Sequence, residues 1–429
     1  MERPNQRTEA GIRRRGRSHR WPSGLLAVAS ALALLAAACS GSTAPPQGPS
    51  GGPLDFGSLP AASSPAPTIA SPLHTDGTNL VGPNGKTIRF LGINVQGFQF
   101  SNDQGSSKPD QCGRTWHQPG VTAEQLAHLG FNAVRLPIAW ANIEPDPPQK
   151  GPDGSVVHQW GEDYLKAIDD YVASLEQQHI ATILDIAQFQ WSSAFKGVNP
   201  ARGNCEGFGM PAWLNPNAGQ ETIADVMCEF MSNKAEPGVP ESPWEGLSAV
   251  WKMLGQRYAD QPGVVAADTL NEPFFVQPSC PGLDFPGMFK TLGQAIRDVA
   301  PNWLLIFEYR PDDNQAFGLD SPPPFDNQMY EIHVYSPDWD FAKGFMSSAW
   351  DQAQQWKMPV LVGEFDAFAN SSLRGEDWRG MTKDMLDWMR ERNISWTLFP
   401  RSGGEAQAKA GIAKTQPLDQ LIQTLQQGF

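Results

Sequence analysis

The sequence predicts a (β/α)8 barrel. Eight short apolar segments rich in β-forming residues alternate with stretches of helical periodicity, as a parallel sheet with crossover helices requires. The alternation fills about 355 residues with no second linker, a length that suits one barrel. The main rival, a doubly wound sheet, would favour a glycine-rich first turn, and GINVQGF does not match GxGxxG.

Taken in order, strands are predicted over IRFLGINV (88–95), NAVRLP (132–137), IATILDIA (180–187) and VVAADTLN (264–271). The second half supplies WLLIFEY (303–309), MYEIHVYS (329–336), PVLVGEF (359–365) and ISWTLFP (394–400). Helical periodicity falls near 122–130, 161–179, 245–260, 285–299, 344–356, 376–391 and 416–427. The segment 192–244, rich in Gly, Pro and Asn, reads as a long loop after the third strand.

Before the barrel, residues 1–38 read as an export signal. RRRGRSHR is a basic region and SGLLAVASALALLAAAC an apolar run ending in small residues, too short for a comfortable bilayer span. Ala36, Ala37 and Ala38 before Cys39 resemble the lipobox of bacterial lipoproteins, which implies lipidation of Cys39; ordinary secretion and an uncleaved anchor are the alternatives. Residues 39–74 then read as a disordered tether, because Pro, Ser, Ala and Gly cannot bury enough surface to offset their ordering entropy. The catalytic domain is expected over 75–429, exported and held on the outer face of the cytoplasmic membrane or in the cell envelope.

Charge and cysteine content fit that compartment. The net charge is −14, yet residues 1–38 carry seven Arg against two Glu, a balance of +5, so the remaining chain stands at −19. A body so acidic lacks the cationic surface that releases counterions from nucleic acid. Of five Cys, setting Cys39 aside leaves Cys112, Cys205, Cys228 and Cys280, an even number suited to an oxidising environment. Four allow three pairings; Cys205 with Cys228 is expected by proximity, leaving Cys112 with Cys280.

Barrel chemistry sits at the C-terminal ends of the strands. Polar groups gather there: Arg135, Asp185, Asn271, Glu272, Glu308, His333, Tyr335 and Glu364. Glu272 and Glu364, from the fourth and seventh strands, would face one another across the mouth. Glycoside hydrolysis needs such a pair, one protonated at the leaving oxygen and one ionised at the anomeric carbon. Arg135 and Tyr335 are placed to donate to Glu364, Asn271 to hold a sugar hydroxyl, and His333 to orient the acid or serve as a buried structural histidine. Fifteen Trp and 22 Phe supply flat apolar faces for sugar rings, with Trp191 and Trp396 near strand ends. A divalent site at Asp185, Glu308 and His333 lacks ligand spacing, so neither metal nor cofactor is expected.

These residues carry a resemblance. GKTIRFLGINVQGF, FNAVRLPIAWANIEP, DTLNEPF, EIHVYSP and LVGEF resemble the strand motifs of glycoside hydrolase family 5, across roughly residues 76–427. The resemblance implies a retaining (β/α)8 glycosidase with Glu272 as acid/base and Glu364 as nucleophile, supported by Arg135, Asn271, His333 and Tyr335. Two positions depart from the family. DIAQFQWS, which contributes Asp185, Gln188 and Trp191, has Ala187 where the family often has His and Phe189 where an acid follows. Phe399 stands where the strand 8 Trp usually floors the reactive-sugar subsite, with Trp396 earlier in the segment. The expected substrate is a β-glucan-like oligosaccharide or a glycolipid, and the expected state a monomer that binds no nucleic acid and reaches the membrane through its N-terminal lipid. A non-catalytic carbohydrate-binding lipoprotein and a transglycosylase acting on envelope glycans are the alternatives.

Overall fold

A computed structural model describes residues 61–100, 115–192, 207–215, 221–273, 280–309, 319–336, 339–365, 378–399 and 425–426. Eight parallel strands close a barrel: β1 Leu91–Asn94, β2 Ala133–Ile138, β3 Ala181–Ile186, β4 Val264–Asp268, β5 Leu304–Glu308, β6 Gln328–Val334, β7 Val360–Phe365 and β8 Ser395–Leu398. Each pairs with its neighbour in sequence, and β8 returns to β1. All eight predicted strands are therefore present. Their apolar runs follow from burial on both faces, the interior on one side and helices on the other.

The helices packed around the strands include α1 Ala123–His128, α2 Glu162–Gln177, α3 Pro243–Tyr258, α4 Phe285–Arg297, α5 Trp339–Trp356 and α6 Trp378–Arg390. Local chemistry fixes several starts. Thr122 and Gln125 form a capping box at α1, Ser242 and Glu245 another at α3 with Pro243 in the first turn, and the Asp284 side chain accepts from Gly287 N–H at α4. The predicted helix 416–427 lies outside the described residues except for Leu425, which is buried, and Gln426, whose Nε2 donates to Leu129 O.

The N-terminal end of the barrel is plugged by apolar side chains. Ala133, Ala181, Ile183, Val265, Ala266, Leu304, Ile306, Met329 and Leu361 form one cluster with Phe90, Leu80, Leu73 and Ile69. The small antiparallel sheet His74–Asp76, Asn79–Val81 and Thr87–Ile88 supplies part of this floor. Residues 61–73 were expected to belong to the tether, yet they lie against the barrel. Ala62 and Ala66 donate their N–H groups to His128 O and Gly130 O, and Ile69 and Leu73 are buried. Two aliphatic side chains and several backbone hydrogen bonds thus hold this Ala-, Pro- and Ser-rich stretch.

The segment after β3 is more than a loop, since it includes a short helix Ile223–Met231 with a Thr222–Asp225 capping box. Here the expected disulfides are corrected. Cys228 on this helix is bonded to Cys280, just ahead of α4, with Cα atoms 5.6 Å apart. The excursions that follow β3 and β4 emerge side by side because those strands are neighbours, so spatial adjacency overrides closeness in sequence. Cys112, Cys205 and Cys39 lie outside the described residues.

Candidate active site

Inward-facing polar side chains gather at the C-terminal ends of the strands, and Arg135 on β2 is their hub. It is fully buried. Its Nη1 donates to Glu364 Oε1 at 2.9 Å and Asn94 Oδ1 at 3.1 Å, Nη2 to Asn271 Oδ1 at 2.9 Å, and Nε to Asp268 Oδ2 at 2.7 Å. Asp185 and Glu331 each lie 3.3 Å away. A guanidinium without water is tolerable only with such compensation. Burial alone would lower its pKa, but Asp185, Asp268, Glu331 and Glu364 hold it well above the usual guanidinium value.

Glu364 on β7 has both oxygens engaged. Arg135 holds Oε1, and the Tyr335 hydroxyl donates to Oε2 at 2.6 Å. Its aim depends on a bulge. Ile332 pairs with Val362 but His333 pairs with Glu364, so Gly363 is the extra residue. A Cβ at Gly363 would collide with the Glu331 carboxylate. Its carbonyl accepts from Asn94 Nδ2 at 2.8 Å and from Thr397 Oγ1. The glycine before Glu364 is thus required by packing.

Glu272 lies beyond the end of β4, with φ of 44°. Gln188 Nε2 donates to the carbonyls of Asn271 and Glu272, both at 2.8 Å, while Asn271 Nδ2 returns a bond to Gln188 O at 2.9 Å. His333 Nδ1 is 2.9 Å from Glu272 Oε1 and 3.7 Å from Glu364 Oε2. Burial would lower the His333 pKa, but Glu308, Glu364, Glu272 and Glu331 raise it well above the ordinary imidazole value.

A layer of acids lies beneath. Burial first, then Glu331, raises Asp268 well above the carboxylate range. Burial would raise Glu331 too, but Arg135 and then His333 bring it below its usual value. Asp185 is pushed up to about 7, chiefly by burial. Among the described residues the mouth brings Asp185, Asp268, Glu272, Glu308, Glu331 and Glu364 around Arg135 and His333.

Glu272, His333 and Glu364 each offer one ligand-type atom within 4.8 Å of the others, a spacing able to chelate a cation. Each is also engaged by a protein partner: Arg135 and Tyr335 on Glu364, and His333 on Glu272. One oxygen of Glu272 lies within 4.8 Å of one oxygen of Glu364, a close approach compatible with the short carboxyl separation of retaining glycosidases.

Arg135, Asn271, Glu272, His333, Tyr335 and Glu364 are brought together as the sequence predicts. Asp185 and Gln188 are fully buried and act on Arg135 and Asn271, so neither offers surface to a sugar. Two aromatic residues are corrected. Trp396 faces the helices, edge-on to Phe131 and Phe365, and Trp191 packs edge-on to Phe230 with centroids 4.8 Å apart. Both are buried, and neither can floor a subsite. Phe399 is half-buried just past β8, its N–H donating to Phe365 O. Gly209 packs so closely on the Ala187 carbonyl that a Cβ at 209 would clash, and Phe189 and Phe208 pair across this contact.

Asn94, Asp268, Glu331 and Gly363 were not singled out in the sequence. The alternation of β6 held a usable signal: with period two, Glu331, His333 and Tyr335 share one face.

The cellulase family (glycosyl hydrolase family 5) matches residues 84–403. An endoglucanase of Paenibacillus polymyxa is 25% identical over 386 residues, covering 81% of this chain and 84% of that protein. Among solved structures, an endogalactoceramidase is similar at TM-score 0.60 and 21% identity, covering 82% of this chain and 84% of its own. Endo-glycoceramidase II from Rhodococcus sp., in a ganglioside complex, is similar at TM-score 0.57 and 21% identity, covering 82% and 81%.

Proposed function

The chain belongs to glycosyl hydrolase family 5, and from that membership we propose a division of labour for a retaining glycosidase, with Glu364 as nucleophile and Glu272 as acid/base. The observation that carries the assignment is the close pair of carboxyl groups, each held by different partners. Glu364 is aimed by the hydrogen bonds of Arg135 and Tyr335, one on each oxygen. Its oxygen attacks the anomeric carbon while Glu272 gives its proton to the departing glycosidic oxygen, forming a glycosyl-enzyme. Glu272 then takes a proton from water, which displaces Glu364, and the anomeric configuration is retained. Asn271, fixed by Arg135 and Gln188, is placed to bind a sugar hydroxyl.

The substrate is read as a β-linked glucan oligosaccharide or a glycolipid. The similar proteins are an endoglucanase, an endogalactoceramidase and an endo-glycoceramidase. The half-buried rings of Phe100, Phe189 and Phe208, in contact beyond β3, support an apolar aglycone. The test is a panel of aryl β-glycosides, glucan oligomers and glycolipids, with the first-formed anomer followed by NMR. Glu364→Ala should lose at least about a thousand-fold in kcat/KM. Inversion of configuration, or an active Glu364→Ala variant, would sink the assignment.

The same reading extends to location. The basic leader, the apolar run and Cys39 support export and lipidation, leaving a monomeric enzyme tethered to the envelope. A Cys39→Ser variant should then pass from the membrane to the soluble fraction; an unchanged distribution counts against the anchor.

A further inference from the structure

Glu272 lies where the barrel's own hydrogen bonding has run out. The β4 ladder ends at Asp268, and Thr269 and Asn271 still find the carbonyls of Ile306 and Ile186. Glu272 is instead held by side chains of the flanking strands. From beyond β3, Gln188 Nε2 donates to its carbonyl at 2.8 Å. From β5, the Glu308 carboxyl group accepts its backbone N–H through Oε2. A glutamate at φ of 44° lies in the left-handed region that disfavours a side chain, so its surroundings must enforce the turn.

Glu308 reaches Glu272 by a second route. It is almost wholly buried, and its Oε1 lies 3.6 Å from His333 Nδ1, the nitrogen that is 2.9 Å from Glu272 Oε1. One side chain thus adjoins both the backbone of Glu272 and the imidazole that orients its carboxyl group. We propose that Glu308 is a positioning residue for the acid/base, holding the left-handed turn at Glu272 and so the reach of its carboxyl group to the leaving oxygen. This rests on the assignment of Glu272 as acid/base.

The chemistry needed is that of an acceptor. Burial, opposed by His333 and reinforced by Glu272 and Glu331, raises Glu308 well above the usual carboxylate range. A protonated carboxyl group still presents a carbonyl oxygen to an N–H, and glutamine presents the same oxygen in the same volume. Glu308→Gln should keep the function, and Glu308→Leu, of similar bulk without the acceptor, should lose it.

The test compares two aryl β-glycosides, a dinitrophenyl one whose leaving group departs without a proton and a phenyl one that needs it. Glu308→Leu should lose about 30-fold or more in kcat/KM on the phenyl substrate and less than about 3-fold on the dinitrophenyl one, with Glu308→Gln near wild type on both. Equal losses on the two substrates, no loss, or a Gln variant as impaired as Leu would overturn the proposal. Should the Leu variant not fold, as judged by circular dichroism, Glu308→Ala is read by the same criteria. Glu272→Ala separates the two levels of inference. If it shows no leaving-group dependence, the acid/base assignment itself fails; if it does and the Glu308 variant does not, only the role of Glu308 falls.

Discussion

Tyr335 and Arg135 take one oxygen of Glu364 each, and their contributions differ in kind. Arg135 sits among four carboxylates, so its removal would leave buried charge unpaired and confound folding with catalysis. Tyr335 is half-buried, and its hydroxyl donates to Glu364, so removing that one oxygen tests the bond without unpairing a buried charge. Tyr335→Phe should lower kcat/KM by about 10- to 100-fold, the worth of a hydrogen bond to a charged group, with little change in melting temperature. Asp185 invites a different measurement. Its carboxyl group titrates near 7 when folded, against about 4 in an unfolded chain. Between those values the native state holds a proton that the unfolded state releases, so the group's contribution to stability declines as pH rises from about 4 to about 7. Asp185→Asn removes that decline and leaves Arg135 paired with Asp268, Glu331 and Glu364. Its melting temperature should exceed that of the wild type by a few degrees at pH 8 and by less at pH 5, followed by calorimetry. An equal offset at both values would count against a protonated Asp185.

At the level of the strand, β7 ties packing to chemistry through Gly363. The bulge turns Glu364 toward the mouth, and the space a Cβ would need is filled by Glu331. Gly363→Ala should therefore cost about 2–3 kcal/mol of stability, by thermal melting, and lower activity further by shifting Glu364. Full stability and activity would show that Glu331 can move aside. The same strands mark what the sequence discloses. Their number and order were legible because fully buried strands are continuous apolar runs, and Glu272 and Glu364 stood out as acids where such runs end. Trp396 misled because an aromatic residue near a strand end resembles a sugar platform. Yet Ser395 and Thr397 are the polar partners in its alternation, which sends Trp396 out toward the helices. Asp268 and Glu331 were missed for a related reason: a charge inside a strand makes sense only once Arg135 is known to lie across the barrel.

At the largest scale the barrel has two unlike ends, a polar mouth and an apolar floor, and the floor is completed by chain that precedes its first strand. Ile69 and Leu73 join Leu80 and Phe90 against the first interior side chains of the strands. Without them the lower layer would meet water, because a barrel's own strands cannot cover its end. Burying an aliphatic side chain contributes about 1.5–3 kcal/mol, so the two together contribute about 3–6 kcal/mol, less whatever the unfolded chain already buries. A chain beginning at residue 75 should melt several degrees below one beginning at residue 61. The catalytic pair lies at the opposite end, so kcat well below the melting range should be nearly the same in both. Matching melting temperatures would mean that the barrel end closes without this segment, and a loss of kcat in the cold would mean that floor and mouth are mechanically coupled.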